Sequence, residues 1–124
     1  MKPYDAAYDP PAAVLDVTIV NPFTKGQPRI SGRGVIDSGA FKSVIPQTWA
    51  SQIGLLPITE IVTKSYDGRE KKQPASITNI VINDHVFEYV EVLLIKRYTA
   101  LIGRDILNQL KLTLDGPHLE FEII

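Results

Sequence analysis

The sequence contains no cysteine among its 124 residues. Disulfide bridges, zinc sites built from thiolates and cysteine nucleophiles are therefore excluded. No apolar run approaches the roughly 20 residues that a membrane-spanning helix needs, and the first residues lack the apolar core of a signal peptide. These absences predict a soluble, cytoplasmic protein with a single hydrophobic core.

An excess of charge of one sign is also absent. The 13 Lys and Arg residues nearly balance the 14 Asp and Glu residues, which leaves a net charge of -1. A nucleic-acid partner is not indicated, because such proteins present a strongly basic surface. The histidines, His85 and His118, lack metal-ligand partners at a suitable spacing and are expected to be solvated. Neither a metal nor another cofactor is predicted.

Short apolar segments separated by Gly, Pro, Asn and Asp recur along the chain. They predict strands over residues 15–19, 30–36, 44–45, 58–65, 75–82, 86–94, 100–102, 112–114 and 119–123. Short helices are predicted over residues 47–53 and from Asp105 onward. Residues 1–13, which contain three prolines, are predicted to be a loosely held arm, and residues 14–124 to be one domain. Many short strands with one or two short helices are typical of an all-β barrel or compact sandwich.

Residues 35–39 place a carboxylic acid directly after a predicted buried strand. Val35 and Ile36 predict the end of a buried strand, and Asp37, Ser38 and Gly39 follow directly. A carboxylate at such a strand end can act as a general acid or base. The structural alternative is that Asp37 only caps its own turn. A serine hydrolase is disfavoured, because no histidine lies near Ser38 in sequence.

A polar tip, Ser65 to Glu70, separates two of the predicted strands. Its Asp67-Gly68 pair is a strong signal for a hairpin turn. The sequence therefore predicts a long, exposed β-hairpin, which is either an ordinary surface feature or a lid.

The acid-bearing stretch has a downstream companion, Ala100-Leu101-Ile102-Gly103-Arg104-Asp105. In order and spacing the two segments resemble the retropepsin family of aspartic peptidases, the retroviral-protease-like fold, over about residues 15–115. In that family an apolar-apolar-Asp-Thr/Ser-Gly-Ala loop carries the catalytic acid, and an apolar-Ile-Gly-Arg-Asp/Asn segment opens the single helix. The resemblance implies an all-β acid-protease barrel in which each chain supplies one catalytic half.

The resemblance also implies a role for individual residues. Asp37 matches the catalytic acid, Ser38 the residue whose hydroxyl crosses the dimer axis, and Gly39 the residue whose carbonyl meets substrate; Ala40 completes this loop. Substrate contacts are implied for Val35, Val44, Tyr66, Asp67, Gly68 and Leu101. Structural roles are implied for Gly103, Arg104 and Asp105, and Tyr66 to Gly68 match the tip of the flap that closes over bound peptide.

Two features depart from the retroviral pattern. Retroviral enzymes place an acid directly after the Ala, where it meets both the substrate backbone and the arginine, but Phe41 occupies this position here. Arg104 therefore needs another partner, which the sequence leaves open as Asp105 or a carbonyl. The tip at residues 66–68 is also more polar than the glycine-rich retroviral flap.

The sequence contains a single Asp-Ser/Thr-Gly triplet. Peptide hydrolysis by carboxylates needs two of them sharing one proton, so the second Asp37 must come from another copy across a two-fold axis. These features predict a homodimeric aspartic endopeptidase acting on peptide or protein substrates. Terminal strands contribute to the dimer interface in the family, and Leu119 to Ile124 is the candidate here. The alternatives are a catalytically inactive binding or dimerisation module of the same fold, and an unrelated small β-barrel binding protein.

Overall fold

The computed structural model describes all residues, from Met1 to Ile124. Strands account for 51% of the chain and helices for 8%, so the predicted all-β class is confirmed. In chain order the elements are β1 (Lys2–Pro3), β2 (Val14–Val20), β3 (Arg29–Ile36), β4 (Val44–Pro46), α1 (Gln47–Gln52), β5 (Thr59–Lys64), β6 (Glu70–Ile82), β7 (His85–Ile95), β8 (Ala100–Ile102), α2 (Arg104–Leu107), β9 (Leu112–Asp115) and β10 (Glu120–Ile123).

Six strands close into a barrel. Their order is β2-β3-β8-β4-β7-β6, and a further pairing between β2 and β6 joins the two ends. The pairs β3–β8 and β4–β7 are parallel, and the other neighbours in the barrel are antiparallel. The predicted barrel is therefore confirmed, and it brings together strands that are distant in the sequence.

Alternation along the strands fills the barrel interior. In β2, Val17 and Ile19 are buried whereas Asp16 is exposed, as the period of a half-buried strand requires. Trp49 of α1 packs against Gly32 of β3, where an added Cβ would lie 2.2 Å from the indole ring. Glycine at this position lets the indole lie directly against the backbone of β3, so Trp49 serves packing.

Both helices are short. The prediction of α1 is confirmed, and the chain leaves it through Gly54 with a φ of +72°. The second helix, α2, is a single turn and ends before Leu110, although the apolar spacing predicts a helix through that residue. The N–H of Leu110 donates to the Leu107 carbonyl at 3.1 Å, which tightens the chain before it enters β9. Neither helix has the length or the apolar content to cross a membrane.

The predicted hairpin is present, but its second arm is residues 70–75 rather than the predicted 75–82. Strand β5 pairs with the first half of β6, from Thr59 opposite Ala75 to Lys64 opposite Glu70. The second half of β6 continues through Ile82 as a barrel strand. Strand β6 therefore belongs to both the barrel and the hairpin, because its residues 70–74 pair only with β5 and lie outside the barrel.

A separate three-stranded sheet holds the two ends of the chain. Its order is β1-β10-β9, so β10 lies in the middle, paired with β9 along its whole length and with β1 at Glu120 and Phe121. Phe121 of β10 is 1% exposed and lies 6.2 Å from the ring of Tyr4. Leu119 to Ile124, the candidate for the dimer interface, does not offer a free strand along both edges: β9 pairs with all of β10, and β1 pairs with Glu120 and Phe121 on the other side. Its role in a dimer interface stays a prediction. Leu119 lies in the preceding turn and does not share the buried face of Phe121.

Residues 1–13, predicted as a loosely held arm, are joined to the rest of the chain at several points. Strand β1 pairs with β10, and the N–H of Tyr4 donates to the Leu119 carbonyl at 2.8 Å. Within this segment the N–H of Asp5 donates to the Ala12 carbonyl at 2.7 Å.

Candidate active site

The pairing of β3 with β8 determines where Asp37 lies. Strand β8 lies between β3 and β4, with Val35 opposite Leu101 and Ile36 opposite Ile102. One residue further on, the N–H of Asp37 donates to the Ile102 carbonyl at 3.0 Å. The acid therefore lies at the carboxyl end of a parallel strand pair, where the chain turns away from the sheet.

The carboxylate of Asp37 is held by one of its two oxygens. Its Oδ1 accepts a hydrogen bond from the Gly39 N–H at 2.9 Å, whereas Oδ2 accepts none from the chain. The main-chain carbonyl of Asp37 accepts from the Ala40 N–H at 3.2 Å. Asp37 thus does cap its own turn, as the structural alternative predicts, yet this role leaves one oxygen free to bind another group.

The start of α2 holds the loop that carries Asp37, residues 37–43, which we call the acid loop. The N–H of Arg104 donates to the Ala40 carbonyl at 2.8 Å, and its guanidinium donates to the Ser38 carbonyl at 2.9 Å. Of the two partners that the sequence leaves open for Arg104, the carbonyl is the one observed. Asp105 is engaged elsewhere.

Ser43 connects the acid loop to Asp105. Its side chain is fully buried; the hydroxyl donates to Asp105 Oδ1 at 2.8 Å and accepts from the Gly103 N–H at 3.0 Å. The Ser43 N–H donates to Asp105 Oδ2 at 3.0 Å. This role of Ser43 was not predicted, and its only signal in the sequence is a small hydroxyl residue directly before a buried strand.

The backbone of the acid loop passes so close to residue 103 that only glycine fits there. An added Cβ would lie 2.7 Å from the carbonyl carbon of Lys42 and 2.9 Å from the Ala40 carbonyl oxygen. Any side chain here would push the acid loop away from α2, because the obstructing atoms belong to the backbone.

An apolar row runs across the sheet beside the acid. It follows the cross-strand partners of β3, β8, β4, β7 and β6, and its members are Val35, Leu101, Val44, Leu93 and Ala75. The next residues along these strands, including Ile45, Leu94 and Ile102, belong to the main core. The row therefore forms the opposite, outer face of the sheet, where Val44, Leu93 and Ala75 make a second small cluster.

Three of the row's members, Val35, Val44 and Leu101, are predicted site residues, and the structure brings them together. Leu93 and Ala75 were not predicted. A signal for Leu93 exists in the run Val92-Leu93-Leu94, because an unbroken apolar run indicates a strand that is buried on both faces.

Comparison with known proteins decides the family. Residues 9–115 match the family model described as aspartyl protease. The chain belongs to the aspartyl protease family. No curated protein matches the sequence significantly.

Solved structures agree with this family assignment. The EIAV protease complexed with the inhibitor HBY-793 is 17% identical with a TM-score of 0.55, over 79% of this chain and 86% of that one. A retropepsin-like aspartic protease from Rickettsia conorii is 15% identical with a TM-score of 0.51, over 84% and 87%. The retroviral protease-like domain of Ddi1 from Leishmania major is 18% identical with a TM-score of 0.51, over 89% and 87%. The predicted retropepsin-like aspartic protease fold is confirmed.

The hairpin tip of this aspartyl protease family member is separate from the acid loop. Tyr66 is fully exposed, and the hydrogen bonds of residues 65–69 all stay within the tip. The Ser65 hydroxyl and the Arg69 N–H both donate to the Asp67 carboxylate and hold the pKa of Asp67 below its ordinary value. The predicted residues Tyr66, Asp67 and Gly68 are thus brought together with one another but not with Asp37.

The position after Ala40 differs in character from the rest of the loop. Phe41 is 48% exposed, and the next residue, Lys42, forms an ion pair with Glu91 at 2.9 Å. The second half of the acid loop therefore carries a half-exposed aromatic ring, Phe41, and a lysine whose charge is paired, Lys42.

The histidines lie away from the acid. The His118 side chain is 72% exposed and contacts Asp115 at 2.8 Å, and His85 stacks on Phe87.

Proposed function

We propose that this protein is a homodimeric aspartic endopeptidase, which hydrolyses peptide bonds with a water held between two Asp37 carboxylates, one from each subunit. The observation that carries the proposal is the half-satisfied carboxylate of Asp37, with Oδ1 fixed by Gly39 and Oδ2 free at the end of a parallel strand pair. Because the chain contains a single Asp-Ser-Gly triplet, the second carboxylate is assigned to a second copy.

The proposed chemistry needs one proton shared by the pair. Two carboxylates at hydrogen-bond distance cannot both ionise, so one keeps its proton while the other is charged. The charged carboxylate takes a proton from the water, whose oxygen attacks the carbonyl carbon of the scissile bond. The protonated carboxyl donates its proton to the carbonyl oxygen as the tetrahedral intermediate forms. Collapse of the intermediate breaks the C–N bond: the departing nitrogen takes the proton held by one carboxyl, while a hydroxyl of the intermediate gives its proton to the other carboxylate, so that the pair again holds one proton.

The surrounding residues hold this geometry. The Gly39 N–H orients the Asp37 carboxylate, and Arg104 and Ser43 tie the loop to α2, which keeps the acid in place before substrate arrives. Ser38 is exposed and its hydroxyl has no partner within the chain, which supports a contact across the two-fold axis.

The substrate is proposed to be an extended peptide with apolar side chains beside the scissile bond. Val35, Val44 and Leu101 would contact these side chains, because their row lies on the outer face of the sheet from which Asp37 emerges. The tip at Tyr66, Asp67 and Gly68 would act as the lid, for which its exposure and purely local hydrogen bonds suit it.

The second candidate is a module of the same fold that binds peptide without hydrolysing it. The exposed ring of Phe41 favours it, since this position carries a substrate-binding acid in the retroviral pattern. The presence of Asp37 with a free oxygen favours the enzyme.

Replacing one carboxylate tests the proposal. Asp37→Asn preserves the shape of the side chain and should fold normally, yet it should lower the turnover of a peptide library about a thousandfold or more, because no group remains to accept the proton of water. Asp84→Asn, in the exposed turn between β6 and β7, is the matched control and should retain wild-type turnover. Wild-type activity in purified Asp37→Asn would refute the enzymatic role, and peptide binding without turnover by both proteins would establish the inactive module.

Mixing subunits tests whether the site is shared. In an equal mixture of wild type and Asp37→Asn that exchanges freely, about a quarter of the dimers carry two wild-type copies. Activity per total protein should therefore fall to about a quarter of the wild-type value, whereas independent monomers would retain about half.

A further inference from the structure

The loop between β7 and β8 carries two positive charges and no negative one. Lys96 and Arg97 are adjacent at its start, and Tyr98 and Thr99 complete it. Neither cation forms an ion pair with an acid of the chain. Two neighbouring cations without a counter-charge create a positive potential, which attracts anions.

The loop and the first residues of α1 border an open cavity of about 460 Å³, a volume typical of small-molecule sites. Pro46 lies opposite Ile95 in the parallel β4–β7 pair, so the chain leaves both strands side by side. The residues that line the cavity are Gln47, Thr48, Lys96, Arg97 and Tyr98. None of them is acidic, so the charge of the two cations is not compensated inside the cavity.

The guanidinium of Arg97 is held in one orientation by its own loop. Its Nε donates to the Thr99 carbonyl, and its Nη2 donates to the Thr99 hydroxyl at 3.1 Å. These two bonds occupy one edge of the guanidinium, whereas the edge formed by Nη1 and Nη2 has no partner in the chain. A planar fork that is already oriented loses little entropy when it binds an oxyanion through two parallel hydrogen bonds.

The other arginines have different surroundings. Arg33 and Arg69 pair with carboxylates, and Arg104 is bonded to the acid loop. Arg29 is exposed in β3, and no hydrogen bond of the chain fixes its side chain. Arg97 is thus the arginine whose guanidinium is oriented beside a cavity without a carboxylate partner.

The remaining side chains of the cavity offer a flat ring and two neutral polar groups. Tyr98 is 99% exposed, so its ring covers no apolar surface of its own chain and both of its faces are open to stacking. Gln47 and Thr48 are exposed and add an amide and a hydroxyl, each of which can donate a hydrogen bond.

We propose that this cavity binds a phosphate ester of a planar aromatic group. A phosphate monoester carries a charge of about −1.5 to −2 at neutral pH and presents three acceptor oxygens. That charge matches the two cations, Lys96 and Arg97, whereas a carboxylate would leave one of them uncompensated. The oxygens accept from the free edge of Arg97 and from the Lys96 ammonium, and the aromatic ring stacks on Tyr98. The ester is either a phosphotyrosine side chain of another protein or a free nucleotide, because both combine a phosphate with a flat ring.

The cavity is separate from the proposed active site. Asp37 lies at the carboxyl end of the parallel pair β3–β8, whereas the cavity lies at the carboxyl end of the parallel pair β4–β7. Since β4 and β8 are antiparallel, these two positions are at opposite ends of the sheet. The cavity shares no residue with the proposed catalytic machinery, so phosphate-ester binding and peptide hydrolysis can each exist without the other.

An NMR titration with phenyl phosphate tests the site. In the ¹⁵N-labelled protein, the amide resonances of residues 47–48 and 96–99 should shift with a Kd of about 1 mM, the affinity expected for a ligand of this size. Inorganic phosphate should bind about threefold to tenfold more weakly, because it has no ring to stack on Tyr98. If saturating phenyl phosphate leaves these resonances unmoved, or moves only resonances elsewhere in the chain, the site does not exist.

Substitutions at the two cations test their role. Arg97→Gln should raise the Kd of phenyl phosphate about tenfold or more, and Arg97→Lys about threefold or more, because the lysine keeps the charge but lacks the fork. Lys96→Gln removes a side chain with no bond in the chain, so it should leave the thermal midpoint unchanged while raising Kd about threefold or more. Arg29→Gln, at the other unpaired arginine, is the matched control and should leave Kd unchanged. An unchanged Kd in both Lys96→Gln and Arg97→Gln would overturn the site.

The ring and the source of the ester need two further comparisons. Tyr98→Ala should remove the advantage of phenyl phosphate over inorganic phosphate, and a persisting advantage would overturn the stacking contact. A short phosphotyrosine peptide and adenosine 5′-monophosphate are then titrated into Asp37→Asn, which cannot hydrolyse the peptide by the proposed mechanism. Tighter binding of the phosphopeptide at residues 96–99 identifies a protein ligand, and tighter binding of the nucleotide identifies a free one. Equal binding of the unphosphorylated peptide at these residues would refute phosphate recognition.

Discussion

The acid loop and the hairpin tip are both polar turns between strands, yet they are held in opposite ways. The acid loop, residues 37–43, is bonded to the start of α2 through Ser38, Ala40 and Ser43. The tip, residues 65–69, is bonded only to itself, and Tyr66 is fully exposed. Long-range contacts fix the first turn, whereas local contacts alone shape the second.

This difference matches the two tasks in the proposed mechanism. A carboxylate that must share a proton with a partner needs a fixed position before substrate binds. A lid needs few contacts with the body of the protein, because it must open and close at little energetic cost. The following predictions compare residues of the acid loop or its supports with residues of the tip, and the last one concerns the tip alone.

The largest effect is expected from removing the carboxylate that supports the acid loop. Asp105→Ala leaves the N–H and hydroxyl of the buried Ser43 without their acceptor, which should lower the free energy of unfolding by about 3 kcal/mol. Asp67→Ala in the tip should change the unfolding midpoint far less, because the partners of Asp67 are exposed and can bond to water. Chemical denaturation of both variants measures this comparison, and equal destabilisation would contradict it.

Two glycines extend the comparison to the backbone. Gly103→Ala should cost about 2 kcal/mol, since its Cβ would press on the Lys42 backbone in the acid loop. Gly68→Ala meets no atom within 4 Å, but its φ of +85° disfavours any side chain, so about 1 kcal/mol is expected. Gly103→Ala should also lower peptidase activity beyond its effect on stability, because this substitution displaces the acid loop.

Hydrogen exchange separates the two turns without mutation. Amides of the acid loop and its supports, at residues 37, 43, 103 and 104, should exchange slowly because their partners are long-range. Amides at residues 66–69 should exchange rapidly in the free protein and slow down when a tight peptide-mimicking inhibitor binds. Identical exchange at the tip with and without inhibitor would contradict its role as a lid.

The smallest effect concerns acid pH. The bonds from Ser65 and Arg69 hold the pKa of Asp67 below its ordinary value of 3.8, so the charged form favours the folded turn. This stabilisation is present above the ordinary value and is lost as the pH falls through the lowered one. The Arg69 amide resonance should therefore shift only at strongly acid pH, whereas in Asp67→Asn it should not titrate there. A shift centred near neutral pH would contradict this assignment.

Much of the fold was predictable from the order of apolar segments and turns. The strands, α1 and the long hairpin follow from local periodicity and turn chemistry, which depend on neighbouring residues. Local periodicity was insufficient at α2, where the apolar stripe extends to Leu110 but the helix stops at Leu107. It also could not locate β10 within its sheet, because an alternating terminal strand looks the same whether it lies at the edge of a sheet or in its centre.

The sequence by itself was enough to predict the acid Asp37, the turn that follows it and the resemblance to the family. The reason is that Asp37, Gly39 and the Gly103–Asp105 segment belong to short motifs that depend only on neighbouring residues. Only the tertiary structure decided that Ser43 connects the loop to Asp105, that Leu93 and Ala75 continue the apolar row, and that β10 lies between β1 and β9. These features depend on which strands become neighbours. Such pairings join residues far apart in the chain, and burial and hydrogen bonding between them exist only once the barrel has closed.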